Sequence, residues 1–114
     1  MFSYQNALEI LKDRAQKKVA NNTYLVRTSP DCIGVRLHDT IVVYLFADGT
    51  TRLNSGGYQT NTTKNRINCF SPLRVQQVKN VWSVWKPSPD YKPYRFIGLF
   101  KDFITVDSAG RKTL

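Results

Sequence analysis

Tyr4, Leu8, Leu11, Ala15 and Val19 recur at steps of three or four residues, the spacing that stacks side chains along one helical face. This predicts a helix over about 3–20, with Ser3 as its N-cap and Asn21-Asn22 as its end. Asp13, Arg14, Lys17 and Lys18 fall largely on the opposite face, with cations near the C-terminal end, where the helix dipole favours them. After this the period shortens to two. "TYLVRT" is followed by a Ser-Pro-Asp turn at 29–31. "CIGVRLH" then places Ile33, Val35 and Leu37 on one face and Gly34, Arg36 and His38 on the other. "TIVVYLF" carries too little polarity for an exposed strand and reads as central. "ADGT" at 47–50 is a hairpin turn, because Asp-Gly suits positive φ, and "TTRLN" returns.

Beyond that meander, Gly56-Gly57 breaks the strand and Thr62 or Thr63 caps a short helix over about 63–69. Ser71-Pro72 stops it. "LRVQQV" and "VWSVW", joined by Lys79-Asn80, form a second hairpin. "KPSPDYKPYR" at 86–95 has three prolines and reads as a loop. "FIGLF" and "FITVD" add two short strands, and "SAGRKTL" is a tail or last turn. The expected class is α+β: an N-terminal helix packed on one face of a mainly antiparallel, strongly curved β-sheet. With 114 residues, 41% of them hydrophobic, residues 1–114 form one domain, with the helix at about 3–20 and the β-rich body at about 23–106. No stretch approaches the roughly 20 apolar residues of a membrane span. The N-terminus has no apolar signal-peptide core and reads as a mature, intracellular start.

Charge changes this picture. Seventeen Lys and Arg against eight Asp and Glu give +9, a balance that favours polyanions. Between Asp48 and Asp90 lie Arg52, Lys64, Arg66, Arg74, Lys79 and Lys86 with no acidic residue. Tyr58, Phe70, Trp82 and Trp85 fall in the same interval. Exposed aromatic residues stack on bases while Arg and Lys meet phosphates. Trp82 and Trp85 are three apart on one strand, so they face opposite sides and at least one belongs to the core. Within the interval, "LNSGGYQTNTTKNRIN" combines backbone freedom at Gly56 and Gly57 with the hydroxyls of Thr60, Thr62 and Thr63 and the charges of Lys64 and Arg66. These are the groups an anionic oxygen meets at a helix N-terminus. The P-loop spacing is absent, so triphosphate hydrolysis is not supported.

Catalytic chemistry finds fewer parts. His38 shares the polar face of its strand with Arg36, which suggests RNA cleavage. There is no second histidine and no glutamate after Glu9, so a hydrogen-bonded structural His38 is the preferred reading. Cys32 and Cys69 have neither the spacing nor the company of a zinc site and read as two buried free thiols. No metal or other cofactor is expected.

The ordered blocks "NNTYL", "IGVRLHDTIVV", "DGTTRLNSGGYQTNTTKNRIN" and "VWSVW", covering roughly residues 21–85, resemble a family of small proteins of tailed bacteriophages and prophages. Tyr58 stands where tryptophan is more usual in that family. The resemblance implies a phage origin and a place in the cytoplasm of the infected bacterial host. The family has no established activity, so it supplies no catalytic residues. Three functional readings result. The first is noncatalytic nucleic-acid binding through Arg52, Tyr58, Thr60, Thr62, Thr63, Lys64, Arg66, Arg74 and Lys79. The second is a host-takeover or anti-defence protein that binds and inhibits a bacterial host protein through an acidic surface of that partner, with Tyr91 and Tyr94 as contacts. The third is a nuclease or nucleotide-binding enzyme using His38. The sequence does not fix the oligomeric state.

Overall fold

The computed structural model describes residues 2–88 and 91–113, with side chains described except at 88 and 91–93. Helix α1 spans Tyr4–Leu11. Its N-terminus is a reciprocal cap: Asn6 N donates to Ser3 Oγ (3.2 Å), and Ser3 N donates to Asn6 Oδ1 (2.9 Å). Two of the four orphan donors are thereby satisfied. The helix stops about nine residues short of the expected end. Lys12 adopts φ 56°, and Arg27 Nη2 donates to Lys12 O at 2.7 Å, a cation on a terminal carbonyl. Residues Gln16–Ala20 instead form strand β1, paired antiparallel with β2 (Thr23–Ser29). The four-residue step from Ala15 to Val19 is therefore coincidental with the helix period. Asn21-Asn22 is a hairpin turn, with Asn22 at φ 52°.

The expected meander is present as β2, β3 (Cys32–Leu37), β4 (Thr40–Phe46) and β5 (Thr51–Leu53). It belongs to a seven-stranded sheet of order β1-β2-β3-β4-β5-β9-β10, in which β9 is Ile104–Val106 and β10 is Lys112–Thr113. Every pairing is antiparallel. The sheet stays open, with β1 and β10 as its edges. Leu25, Val35, Val43, Leu53 and Ile104 are successive cross-strand partners and form one buried row. Burying each such side chain stabilises by roughly 1.5–3 kcal/mol.

The remaining strands make a separate three-stranded sheet: β6 (Arg74–Val78), β7 (Val81–Ser88) and β8 (Tyr91–Leu99). Its inner face supplies Val75, Trp82 and Val84 to the same core cluster that holds the five-strand row, Ala7 and Leu11 of α1, and Ile67 of helix α2 (Asn61–Cys69). Trp82 is buried, and Trp85 lies on the other face of β7, where it pairs with Phe96. Within the stretch 86–95, expected as a loop, residues 86–88 belong to β7 and 91–95 to β8, while 89–90 lie outside the described residues. Pro87 is accommodated at a register shift between Lys86 and Ser88, one of the few places a sheet tolerates proline. The C-terminal tail also contributes a strand, β10. Cys32 is buried, but Cys69 is exposed on α2, and both are free thiols. No helix among the described residues is long and apolar enough to cross a membrane.

Candidate functional site

Leu53 anchors the start of the glycine-containing segment in the core, and the next residues turn sharply. Gly56 N donates to Asn54 Oδ1 and Gly57 N to Ser55 Oγ, both at 3.2 Å. Ser55, itself buried, donates through N (2.9 Å) and Oγ (2.6 Å) to Asp102 Oδ1. Gly56 and Gly57 have φ 63° and 85°, values that glycine adopts without steric cost. The turn also presses on the start of β4: a Cβ on Gly56 would lie 2.7 Å from Thr40 Cγ2. This approach brings the His-Asp-Thr run after β3 against the Gly-Gly run after β5.

Helix α2 starts two residues earlier than expected, and its N-cap is Thr60 rather than Thr62 or Thr63. Thr63 N donates to Thr60 Oγ1 at 3.2 Å, and the two hydroxyls lie 3.1 Å apart. Together these elements enclose a pocket of about 640 Å³, a size typical of small-ligand sites. Leu37 and Val42 supply apolar lining. His38 and Asp39 come from the β3–β4 turn and Thr40 from the start of β4, and Ser55, Tyr58, Thr60, Thr62 and Thr63 complete it. Tyr58 is 66% exposed.

The cations expected beside those threonines point elsewhere. Lys64 Nζ donates to Gln77 Oε1 of β6 at 3.2 Å. Arg66 Nε donates to Thr23 Oγ1 at 2.7 Å, Nη1 to Asn65 Oδ1 at 2.6 Å and Nη2 to Asn21 O at 3.4 Å. Arg66 thus ties α2 to the β1–β2 turn. The pocket lining includes His38, Asp39 and Tyr58 but no Lys or Arg, a poor set for holding a phosphate. His38 is exposed at φ 54°. Its backbone N donates to Asn22 O at 2.8 Å, but its imidazole makes no hydrogen bond among the described residues, contrary to the hydrogen-bonded role expected. Arg74 is exposed opposite Trp85, on the outer face of the three-stranded sheet. Lys79 sits in the β6–β7 turn at φ 52°. Tyr94 is 37% exposed; the side chain of Tyr91 lies outside the described residues. The predicted residues therefore occupy several faces rather than one patch.

Arg52 falls on a surface that linear reading did not assemble. On the face of the seven-stranded sheet opposite the core row, Arg36 lies over the Tyr24 ring at 5.0 Å. Arg52 lies 5.8 Å from the Tyr44 ring centre and 5.4 Å from that of Phe46. These are cation–π distances. Arg52 Nε is held by Thr105 Oγ1 at 3.1 Å. Lys18 of β1 is in register with Tyr24. On the same face Cys32 is paired with Phe46, and burial pushes its thiol above the ordinary range. Strand alternation alone carried the signal for this face, since Tyr24, Arg36, Tyr44 and Arg52 all sit at outward positions. Among the described residues no group of three or more His, Cys, Asp or Glu converges in a way that could hold a metal.

Residues 3–96 match a family model described as Kyanoviridae Gp96 protein, a family of phages. The match runs from the N-cap of α1 into β8 and includes the whole pocket lining. No curated protein and no solved structure matches the chain.

Proposed function

We propose that this chain, which belongs to the phage protein family Kyanoviridae Gp96, binds nucleic acid in the cytoplasm of the infected host without catalysing a reaction. One observation carries the reading. Among the described residues, Lys and Arg side-chain hydrogen bonds end on neutral oxygens: backbone carbonyls, hydroxyls and amides. The cations so held keep their charge free of carboxylate partners, and the excess of +9 favours an external polyanion. Arg52, Lys64, Arg74 and Lys79 are the proposed phosphate partners. Arg66, anchored by its three donations, supports the fold around them. The hydroxyls of Thr60, Thr62 and Thr63, with the ring of Tyr58, offer neutral contacts at the pocket, apart from those cations. The pocket around His38 favours binding over phosphoryl chemistry, since among the described residues no Lys or Arg lines it to stabilise charge in a transition state.

The expected result is binding of labelled DNA or RNA that falls steeply with salt. Each phosphate contact contributes about 0.7–0.9 to the slope of log K against log salt, so four such contacts give a slope near −3 by that estimate. Fluorescence anisotropy across a salt series measures it. Undetectable binding at low salt would sink the proposal.

A second reading, inhibition of a bacterial host protein, is favoured by the outer face of the three-stranded sheet. There Phe96 is 51% and Leu99 63% exposed, next to Trp85 and Arg74, an apolar centre with a charged rim as protein interfaces have. Tyr94, with Tyr91, lies along the same strand. The expected outcome is a host protein captured by the wild type and lost with Phe96→Ser/Leu99→Ser. Capture that survives both changes would rule this surface out.

A further inference from the structure

We infer that the outer face of the seven-stranded sheet is a single-stranded nucleic-acid platform, on which bases stack against the Arg36–Tyr24 and Arg52–Tyr44–Phe46 groups. This rests on the nucleic-acid reading above and adds the site and the strandedness.

Among the described residues, the elements that build the core pack on the other side of the sheet from this face. Both helices and the three-stranded sheet contribute Ala7, Leu11, Ile67, Val75, Trp82 and Val84 to the cluster on the inner side. Tyr24, Val26, Ile41, Tyr44 and Phe46 do not belong to that cluster or to the side chains packed against it. All five are half-buried, so they lie along the pleated surface instead of projecting from it. Gly34 lies in register between Val26 and Tyr44. A Cβ there would come within 2.9 Å of Ile41 Cγ2 and 3.1 Å of Thr28 Cγ2, so its absence lets those side chains settle low over the centre of the sheet.

The chemistry of the face is that of single-strand recognition. Aromatic rings and guanidinium planes both accept stacked bases, while cations meet the backbone. Neither Asp nor Glu occupies the paired outward positions: Lys18, Tyr24, Arg36 and Ile41 make one row, and Gln16, Val26, Gly34, Tyr44, Arg52 and Thr105 the next. Tyr24 and Tyr44 are two strands and one row apart, roughly 12 Å at ordinary strand and residue spacings, and Phe46 is about 7 Å beyond Tyr44 along β4. Arg52 is pinned through Nε by Thr105, and among the described residues its Nη groups donate no other hydrogen bond. Its ordering is therefore largely complete before a ligand arrives, which lowers the entropic cost of binding. A duplex keeps its bases stacked inside and is read by an element entering a groove. A face of low-lying rings offers no such element.

The test is a set of anisotropy titrations at fixed low salt, using a labelled 12-nucleotide oligo(dT), the matching oligo(U) and a 12-base-pair duplex. The wild type is expected to bind the single strands at least tenfold more tightly than the duplex. Arg36→Ala/Arg52→Ala is expected to lose at least tenfold on the single strands, with a far-UV spectrum like that of the wild type. Lys64→Ala/Arg74→Ala/Lys79→Ala is expected to lose less. Arg36→Lys/Arg52→Lys, which keeps charge but not the planar stack, is expected to lose affinity while its salt slope stays unchanged. This milder pair also serves if the alanine variant does not fold. Ultraviolet crosslinking of bound oligo(U) is expected to mark Tyr24 or Tyr44. Equal binding of duplex and single strand overturns the strandedness. Wild-type affinity in both Arg36/Arg52 variants, with loss in the triple variant, overturns the site and leaves nucleic-acid binding standing. No binding by the wild type to any of the three probes removes both.

Discussion

Trp82→Ala is expected to cost about 3–5 kcal/mol of unfolding free energy, the usual range for emptying a buried aromatic site. Trp82 is 3% exposed and meets the Phe100 ring edge-on, with centroids 5.2 Å apart. It projects from the three-stranded sheet into the core shared with the larger sheet. For a domain with the usual stability of about 5–15 kcal/mol, that loss is at least about a fifth of the total. Trp85→Ala is the matched control. Its ring stands 5.1 Å from Phe96, and its Nε1 donates to Ser83 Oγ at 2.8 Å, all on the outer face. Its expected cost is about 1–2 kcal/mol, from partial burial and one aromatic pair. Urea unfolding followed by far-UV circular dichroism separates the two. Equal losses would mean that β7 does not turn its Trp82 face to the core.

The opposing faces of these tryptophans follow from a spacing of three on a strand, and that much was legible from the chain. So were the strands from Thr23 to Leu53, because Ile33, Val35 and Leu37 alternate strictly with Gly34, Arg36 and His38. The end of α1 was not legible. Ala15 and Val19 fit a helical step, and what overrides it is pairing with Thr23–Val26, a contact that local periodicity does not encode. Pro87 and Pro93 concealed strands because proline is read as a breaker, whereas an irregular register absorbs Pro87. The acid-free interval identified the right residue types but did not correspond to one surface. Residues close along a chain that changes element repeatedly are sent to different faces, which is how Arg52, Arg66 and Arg74 become separated. The Arg36–Tyr24 pair needed the register between β2 and β3, and no single segment carries that information.

The second large effect is expected at Gly56. Gly56→Ala is predicted to cost about 2–4 kcal/mol, while Gly57→Ala costs about 1 kcal/mol. Both residues have positive φ, 63° and 85°, so both substitutions incur the left-handed penalty of roughly 1–2 kcal/mol. They differ in their surroundings. A Cβ at position 56 would sit 2.7 Å from Thr40 Cγ2 and 2.8 Å from Thr40 Oγ1, whereas nothing lies within 4 Å at position 57. Thr40 is branched at Cβ, so rotating one of those atoms away brings another into the gap. Either Thr40 or the whole turn must move, and Thr40, Ser55 and Tyr58 line the same pocket. Chemical denaturation gives the stability difference, and amide shifts of residues 38–40 report whether the pocket changes shape. Equal costs at the two glycines would show that the contact with Thr40 is not tight in solution.

The pairing of β5 with β9 has a consequence for synthesis. Leu53 of β5 is in register with Ile104 of β9, so the meander that begins at β1 emerges with its β5 edge bare. Its partner is translated roughly fifty residues later, which at about 5–20 residues per second is a delay of several seconds. During that interval a nascent chain presents an unpaired strand, with Thr51 and Leu53 not yet covered by Val106 and Ile104. A ribosome paused before residue 104 would hold a sheet whose last inner row cannot close, and a truncated product released there would carry an adhesive edge.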